Sequence, residues 1–233
     1  MVNRLINFLG IELSAASHTE KLVSGVGGFL AIFLIFVVSH LFLGDDAYLI
    51  VTSMGAAAVL LFAVPHGPLS QPWPLFGGNL ISALIGVSCA KLLPDLFIAA
   101  ALAVGISITV MYYLKCVHPP GGATALAAVI GGPAVEKLGY MFVVTPVLLN
   151  VLLIFTVAFS FNYFFKWRRY PAALAARVVV KPPSSMFSHE GLEHALKQMD
   201  SFVDASEEDL KRIYELARDF DKQQSRQGNV PMR

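Results

Sequence analysis

The chain has 233 residues, of which 56% are hydrophobic and only 14% charged, with a formal net charge of +1 and a mean hydropathy of +0.65. A soluble domain carries about 25% charged residues, so the composition excludes an ordinary soluble enzyme. It also gives no basic surface for nucleic acid. The deficit is uneven. Residues 1–165 hold five Lys/Arg and six Asp/Glu, and residues 166–233 hold the remaining twelve and ten. This divides the chain into an N-terminal segment at the membrane surface (1–20), a transmembrane domain (21–170) and a cytoplasmic helical tail (171–233). Two cysteines, Cys89 and Cys116, sit in apolar surroundings and form neither a disulfide framework nor a metal-ligand spacing. The first twenty residues lack the order of a cleaved signal.

Taken in order, Asn3 to Leu13 carries Leu5, Ile6, Leu9 and Leu13, which suit either a short interfacial helix or a loosely ordered start. Ser17 followed by Glu20 has the spacing of a helix start. Leu22–Leu43 is long enough to span, since about 20 apolar residues cross the hydrocarbon core, and Gly44-Asp45-Asp46 ends it. The second segment, Tyr48–Val64, is expected to be interrupted early by Thr52-Ser53-Met54-Gly55 and stopped by Pro65-His66-Gly67-Pro68. A proline-rich loop over 65–74 follows, then Leu75–Ala90 and Leu96–Leu114 as the third and fourth segments. Ala123–Ile130 is too short to cross alone, and Leu138–Phe165 reads as one long last segment. Two polar helices, about 191–199 and 206–221, fill the tail.

Lys166, Arg168 and Arg169 after the last segment place its end on the cytoplasmic side. Arg4 and Lys21 place the N-terminus there too. Both termini inside requires an even number of crossings. Six segments satisfy this, and so do four crossings with two re-entrant hairpins; six is the preferred scheme. Gly55–Leu60 aligns with Gly122–Ala127. Each run is followed by a Gly/Pro stop and then by a long segment with an asparagine, Asn79 or Asn150. Three segments per unit would make the halves inverted, and paired interrupted segments in two halves point to a transporter binding site. The expected fold is therefore all-α, a polytopic bundle with broken or half helices. Small residues recur at four-residue spacing in Ser24/Gly28, Ser82/Gly86/Ala90 and Ala99/Ala103/Ser107, which lets helices approach closely; most of these faces should pack the bundle itself, and some are available to a homodimer interface.

The chemistry gathers at His118-Pro119-Pro120-Gly121-Gly122-Ala123-Thr124. Prolines lack an N–H and glycines resist a helix interior, so the stretch should open backbone at membrane depth. Such backbone survives only where protein, water or a ligand satisfies it. Gly121, Gly122 and Ala123 are read as the first turn of a half-helix, whose N–H groups favour an anion. Thr124 would add a hydroxyl, His118 an imidazole, and Lys115 would draw anions in. Thr52, Ser53 and Gly55 would supply matching donors from the other half. Asn79 and Asn150 join the candidate set, although asparagines in apolar runs commonly just bond neighbouring helices. No carboxylate lies deep in any segment, which argues against a cation pathway. No nucleophile–base pair, metal set or cofactor motif is present, so the expectation is not an enzyme and no cofactor.

Cys116-Val117-His118-Pro119-Pro120-Gly121-Gly122-Ala123-Thr124-Ala125-Leu126 resembles the signature of the HPP family of integral membrane proteins. Ser53–Phe62, Pro72 with Asn79, and Gly131-Gly132-Pro133 are also similar to that family, over about residues 20–170. Members in plants and cyanobacteria are associated with nitrite transport. The resemblance therefore implies a carrier of a small inorganic anion, nitrite first, in the lipid bilayer of the cell (inner) membrane. Nitrate, formate and bicarbonate remain open, as do an anion channel and a non-transporting scaffold or sensor acting through the tail. Bacterial members often carry a C-terminal regulatory CBS region. Residues 202–210 resemble the linker into one, but the pair itself is missing here.

Overall fold

A computed structural model describes residues 17–43 and 48–174, together with Leu210 and Tyr214. The interfacial segment and the two tail helices expected from sequence lie outside these residues, apart from helical Leu210 and Tyr214. The described residues form an all-helical bundle. Its helices are α1 (His18–Leu43), α2 (Tyr48–Ala63), α3 (Pro72–Leu92), α4 (Leu96–Tyr113), α5 (Pro119–Ile130), α6 (Gly132–Leu138) and α7 (Leu149–Tyr163). A wide π-helical turn, Val143–Leu148, leads directly into α7. Four helical stretches are long and apolar enough to cross a membrane: α1, α3, α4 and Val143–Tyr163. α2 and α5 are the shorter apolar helices. The 12 residues of α5 rise about 18 Å at 1.5 Å each, short of a hydrocarbon core about 30 Å thick.

Sequence and structure differ at four places. Thr52–Gly55 does not interrupt α2, which runs through it from Tyr48. The loop expected over 65–74 ends early, because Pro72, Trp73 and Pro74 form the first turn of α3, where a missing N–H costs nothing. For the same reason α5 begins at Pro119 rather than Ala123. Leu138–Phe165 is not one helix. Gly139 ends α6 with φ 52, a left-handed value that glycine takes without penalty. Helix resumes at Met141 and widens into the π-helical turn around Pro146, which lacks the N–H for a normal turn.

Which helices are central follows from burial. Half of α3's apolar span is buried, against 22% for α1 and for α4. Leu22, Phe29, Leu41, Phe97 and Tyr113 stand exposed on these outer helices, as lipid-facing side chains do. The main core lies where α1, α2, α3 and α7 meet, around Ile35, Met54, Leu61, Phe62, Phe142 and Ile154. A smaller cluster of Cys89, Ala99, Ala103 and Ala125 joins α3, α4 and α5.

The neighbour pattern carries the internal repeat. α1 packs on α2 as α4 packs on α5; α1 packs on α7 as α4 packs on α3; α2 meets α7 as α5 meets α3; and α2 meets α5. Exchanging α1, α2 and α7 with α4, α5 and α3 leaves this pattern unchanged. The exchanged helices run in opposite directions. The start of α1 and the end of α2 meet Arg168 beyond α7, and the start of α3 meets the end of α4 through Trp73 and Leu114. His118, before α5, reaches Leu69, before α3. The bundle is thus an inverted repeat of three segments each.

Candidate functional site

The site is built where α5 enters the bundle beside α3. A residue preceding proline is pushed out of helical geometry, and His118 is extended at φ −142, ψ 103. That turns its side chain inward, and the residue is fully buried. Gly78 makes the room: a Cβ there would lie 2.5 Å from the His118 Cβ. Gly121 in turn seats on α3, where a Cβ would lie 2.7 Å from the Gly78 carbonyl oxygen and 3.0 Å from Ser82 Oγ. One turn on, a Cβ on Gly86 would lie 2.5 Å from the Ala125 carbonyl. α3 and α5 therefore run parallel with their backbones nearly touching. Gly78 is about 9 Å along α3 from Pro72 at 1.5 Å per residue, so His118 sits about a third of the way into the bundle.

Four polar contacts fix the site. His118 Nδ1 lies 3.0 Å from the Leu69 carbonyl. A carbonyl only accepts, so Nδ1 carries the hydrogen. Thr124 Oγ1 donates to Asn79 Oδ1 at 2.7 Å and lies 3.2 Å from the Pro120 carbonyl. Asn79 Nδ2 donates to Leu75 O at 2.8 Å. Both Thr124 and Asn79 are buried. His118 Nε2 is buried with no hydrogen-bond partner among the described residues.

The donors expected at the α5 start are not arranged as the sequence suggests. Its first two positions are Pro119 and Pro120, which have no N–H, and the Gly121 N–H donates to His118 O at 2.8 Å. Gly122 and Ala123 already lie within the helix. Gly122 is half-buried, with only Val104 at 4.0 Å of a would-be Cβ, and Ala123 and Pro119 are exposed. On α2, Ser53 is buried, Gly55 half-buried and Thr52 exposed. All three lie past the first turn of a helix that starts at Tyr48, so their N–H groups are not open helix-end donors. Asn150 belongs to a different pair, accepting from Ser39 Oγ at 2.8 Å between α7 and α1. Lys115 is exposed in the turn after α4, at φ 54. The structure thus brings together His118, Gly121, Thr124 and Asn79, and leaves Lys115 and Asn150 apart from them.

A second polar cluster was not visible from sequence. Arg168, which the sequence offers only as one of three basic residues after the last segment, is 1% exposed. Its guanidinium pairs with Glu20 Oε1 and donates to Ser24 Oγ at 3.0 Å, Asn162 Oδ1 at 3.2 Å and Phe62 O at 2.5 Å. Trp167 Nε1 holds the other Glu20 oxygen at 2.9 Å. Burial pushes the guanidinium below its ordinary value while Glu20 pushes it back. The cluster caps the last carbonyls of α2 with a cation, as the helix dipole favours. A cavity of about 300 Å³ opens beside it, lined by Glu20, Val64, His66 and Arg168 among others. The one available signal was the opposite charge of Glu20 and Arg168 at the flanks of two apolar segments. Nearby, Tyr170 donates to Ser70 O at 2.8 Å, and burial pushes its phenol up. Among the described residues no group of three or more His, Cys, Asp and Glu is placed to hold a metal ion.

Comparison with known proteins agrees with this architecture. The family model described as "HPP, transmembrane region" matches residues 13–171. A transmembrane protein of Dictyostelium discoideum is 38% identical over 128 residues, 52% of this chain and 44% of that protein. A second from the same organism is 37% identical over 123 residues, 51% of this chain and 39% of that protein. Both matches thus span less than half of the relatives' length. No solved structure matches. With the His118–Leu126 run at the start of α5 and a family match over most of its length, the chain belongs to the HPP family of membrane proteins.

Proposed function

We propose that this chain is a membrane transporter of a small monovalent anion, with nitrite the first substrate to test. The observation that carries the reading is His118: a buried imidazole with an unpartnered Nε2, at the start of a half-helix packed inside an inverted repeat. Polar groups at membrane depth are costly and concentrate on substrate paths. Within the helical spans no Asp, Glu, Lys or Arg lies between Leu22 and Leu43, Thr52 and Ala63, Pro72 and Ala90, Leu96 and Tyr113, Pro119 and Ile130, or Val143 and Tyr163. A path free of fixed charge suits a small anion better than a metal cation. Nitrite itself rests on the resemblance of the motif. In this reading all six segments cross the inner membrane, the chain forms a homodimer, both termini face the cytoplasm, and α2 and α5 move against α3 and α7 to expose the His118 region to either side.

The test is nitrite flux into liposomes holding the purified chain, with nitrate, formate and chloride as competitors. Saturable flux above empty liposomes is the expected result. Flux that does not saturate, with single-channel currents, would make the protein a channel. No flux of any of these anions would sink the transport reading and turn attention to the tail as a signalling element.

A further inference from the structure

The bare nitrogen of His118 poses a charge problem that names the substrate class more closely. An anion at the start of α5 needs positive charge or N–H donors. The helix supplies few: Pro119 and Pro120 have no N–H, and the Gly121 N–H is spent on His118 O. Since Nδ1 holds the hydrogen toward Leu69 O, a neutral His118 offers at Nε2 a lone pair, which repels an anion. The same lone pair is buried without a donor, and burial of an unpaired acceptor is unfavourable. Both difficulties vanish together when Nε2 carries a proton and an anion accepts the hydrogen bond it then offers.

We propose that His118 Nε2 takes up a proton whenever this site holds an anion, so that the substrate crosses as the equivalent of a weak acid, an anion with its proton. The inference rests on the transport reading above. The balance is simple. An N–H bond forms at Nε2 with a proton from water on one face, and breaks when that proton leaves with the anion on the other; nothing is oxidised or reduced.

His118 has no competitor for this role nearby among the described residues. α3 from Pro72 to Ser82, α2 from Thr52 to Ala63 and all of α5 carry no titratable side chain. The turn before α3 offers His66, whose Nε2 lies 3.0 Å from Arg169 O. The end of α4 and the turn after it offer Tyr112, Tyr113 and Lys115, all exposed, and the buried Cys116 thiol.

Two measurements on the full chain test this. The first follows nitrite influx near neutral pH in voltage-clamped liposomes with a pH dye inside, for wild type and His118→Asn. Asparagine places an N–H where Nδ1 stands and keeps the bond to Leu69 O, but has no Nε2. Wild type is expected to acidify the lumen in step with nitrite entry, and the variant to lose that acidification. The second records ¹⁵N spectra of histidine-labelled protein, with His118→Asn assigning the signal. Added nitrite is expected to move Nε2 from the unprotonated to the protonated position. Nitrite flux without proton movement, or equal proton movement in His118→Asn, would overturn the inference and leave the transport reading standing. If wild type carries no anion, the transport reading fails. A protonation of Nε2 on nitrite addition would then still support the anion–proton site, and an unmoved signal would overturn it as well.

Discussion

Glu20 and Arg168 show how far a charged residue's meaning depends on what packs around it. Arg168 makes its hydrogen bonds to the ends of α1, α2 and α7 at once, so one side chain ties three helix ends together. The two partners are unequal in burial: Arg168 is 1% exposed and Glu20 25%. Removing the carboxylate leaves a buried guanidinium uncompensated, whereas removing the guanidinium leaves a carboxylate that water can reach. Breaking a buried pair by deleting one partner costs about 3–5 kcal/mol. We expect Glu20→Ala to fall in that range and Arg168→Met to cost less, by thermal unfolding of the purified protein in detergent. The double variant should be more stable than Glu20→Ala alone. Equal losses from both single variants would mean that the lost hydrogen bonds, not the buried charge, set the cost. Beyond the opposite charges of Glu20 and Arg168, none of this was readable from the chain alone, where Arg168 looks like any basic residue after an apolar segment.

At the scale of elements, the α3–α5 contact is governed by glycines rather than by the large apolar residues. The sequence shows small residues at four-residue spacing but not which of them touch. Gly78, Gly86 and Gly121 meet backbone or Cβ atoms of the facing segment, while Gly28 and Gly105, equally small and equally helical, have nothing within 4 Å of an added Cβ. Alanine should separate the two groups. Overpacking a tight contact costs about 1–3 kcal/mol, and Gly86→Ala or Gly121→Ala should lie there, because the obstructing atoms include fixed carbonyls. Gly28→Ala and Gly105→Ala should be neutral or stabilising by about 0.5–1 kcal/mol, through helix propensity. Unfolding midpoints of the four variants check this. A destabilised Gly105→Ala would show that another surface covers that face of α4. The same contrast explains why segment boundaries were partly misread. Proline and glycine mark a break in local propensity, but Pro72 and Pro119 each open a helix, and only Gly139 and the Pro146 turn interrupt one.

For the whole molecule, the inverted repeat was legible because it is written in sequence order: a small-residue helix, a Gly/Pro stop, and an asparagine-bearing helix, twice. What the order did not reveal is how the two asparagines differ. Asn79 accepts from Thr124 on α5, whereas Asn150 accepts from Ser39 on α1, so the halves share a frame but not a polar network. The frame also gives α5 a definite path between its neighbours. It starts beside α4's end, near Leu69 and Gly78. The segment after it reaches the far end of α3, where Gly139 lies against Lys91 and Tyr140 lies 3.3 Å from Ser88. A re-entrant hairpin would return α5 to the end of the bundle it came from, so this path supports the six-segment reading proposed above. Cys89 and Cys116 are buried, so a background lacking both allows single cysteines to be labelled in sealed vesicles. Positions 115 and 166 should react from one side, and positions 94 and 136 from the other. The pair that decides is 115 and 136, which flank α5. If both react from the same side, α5 does not carry the chain across, the six-segment scheme falls, and the short helices are hairpins within a four-helix frame.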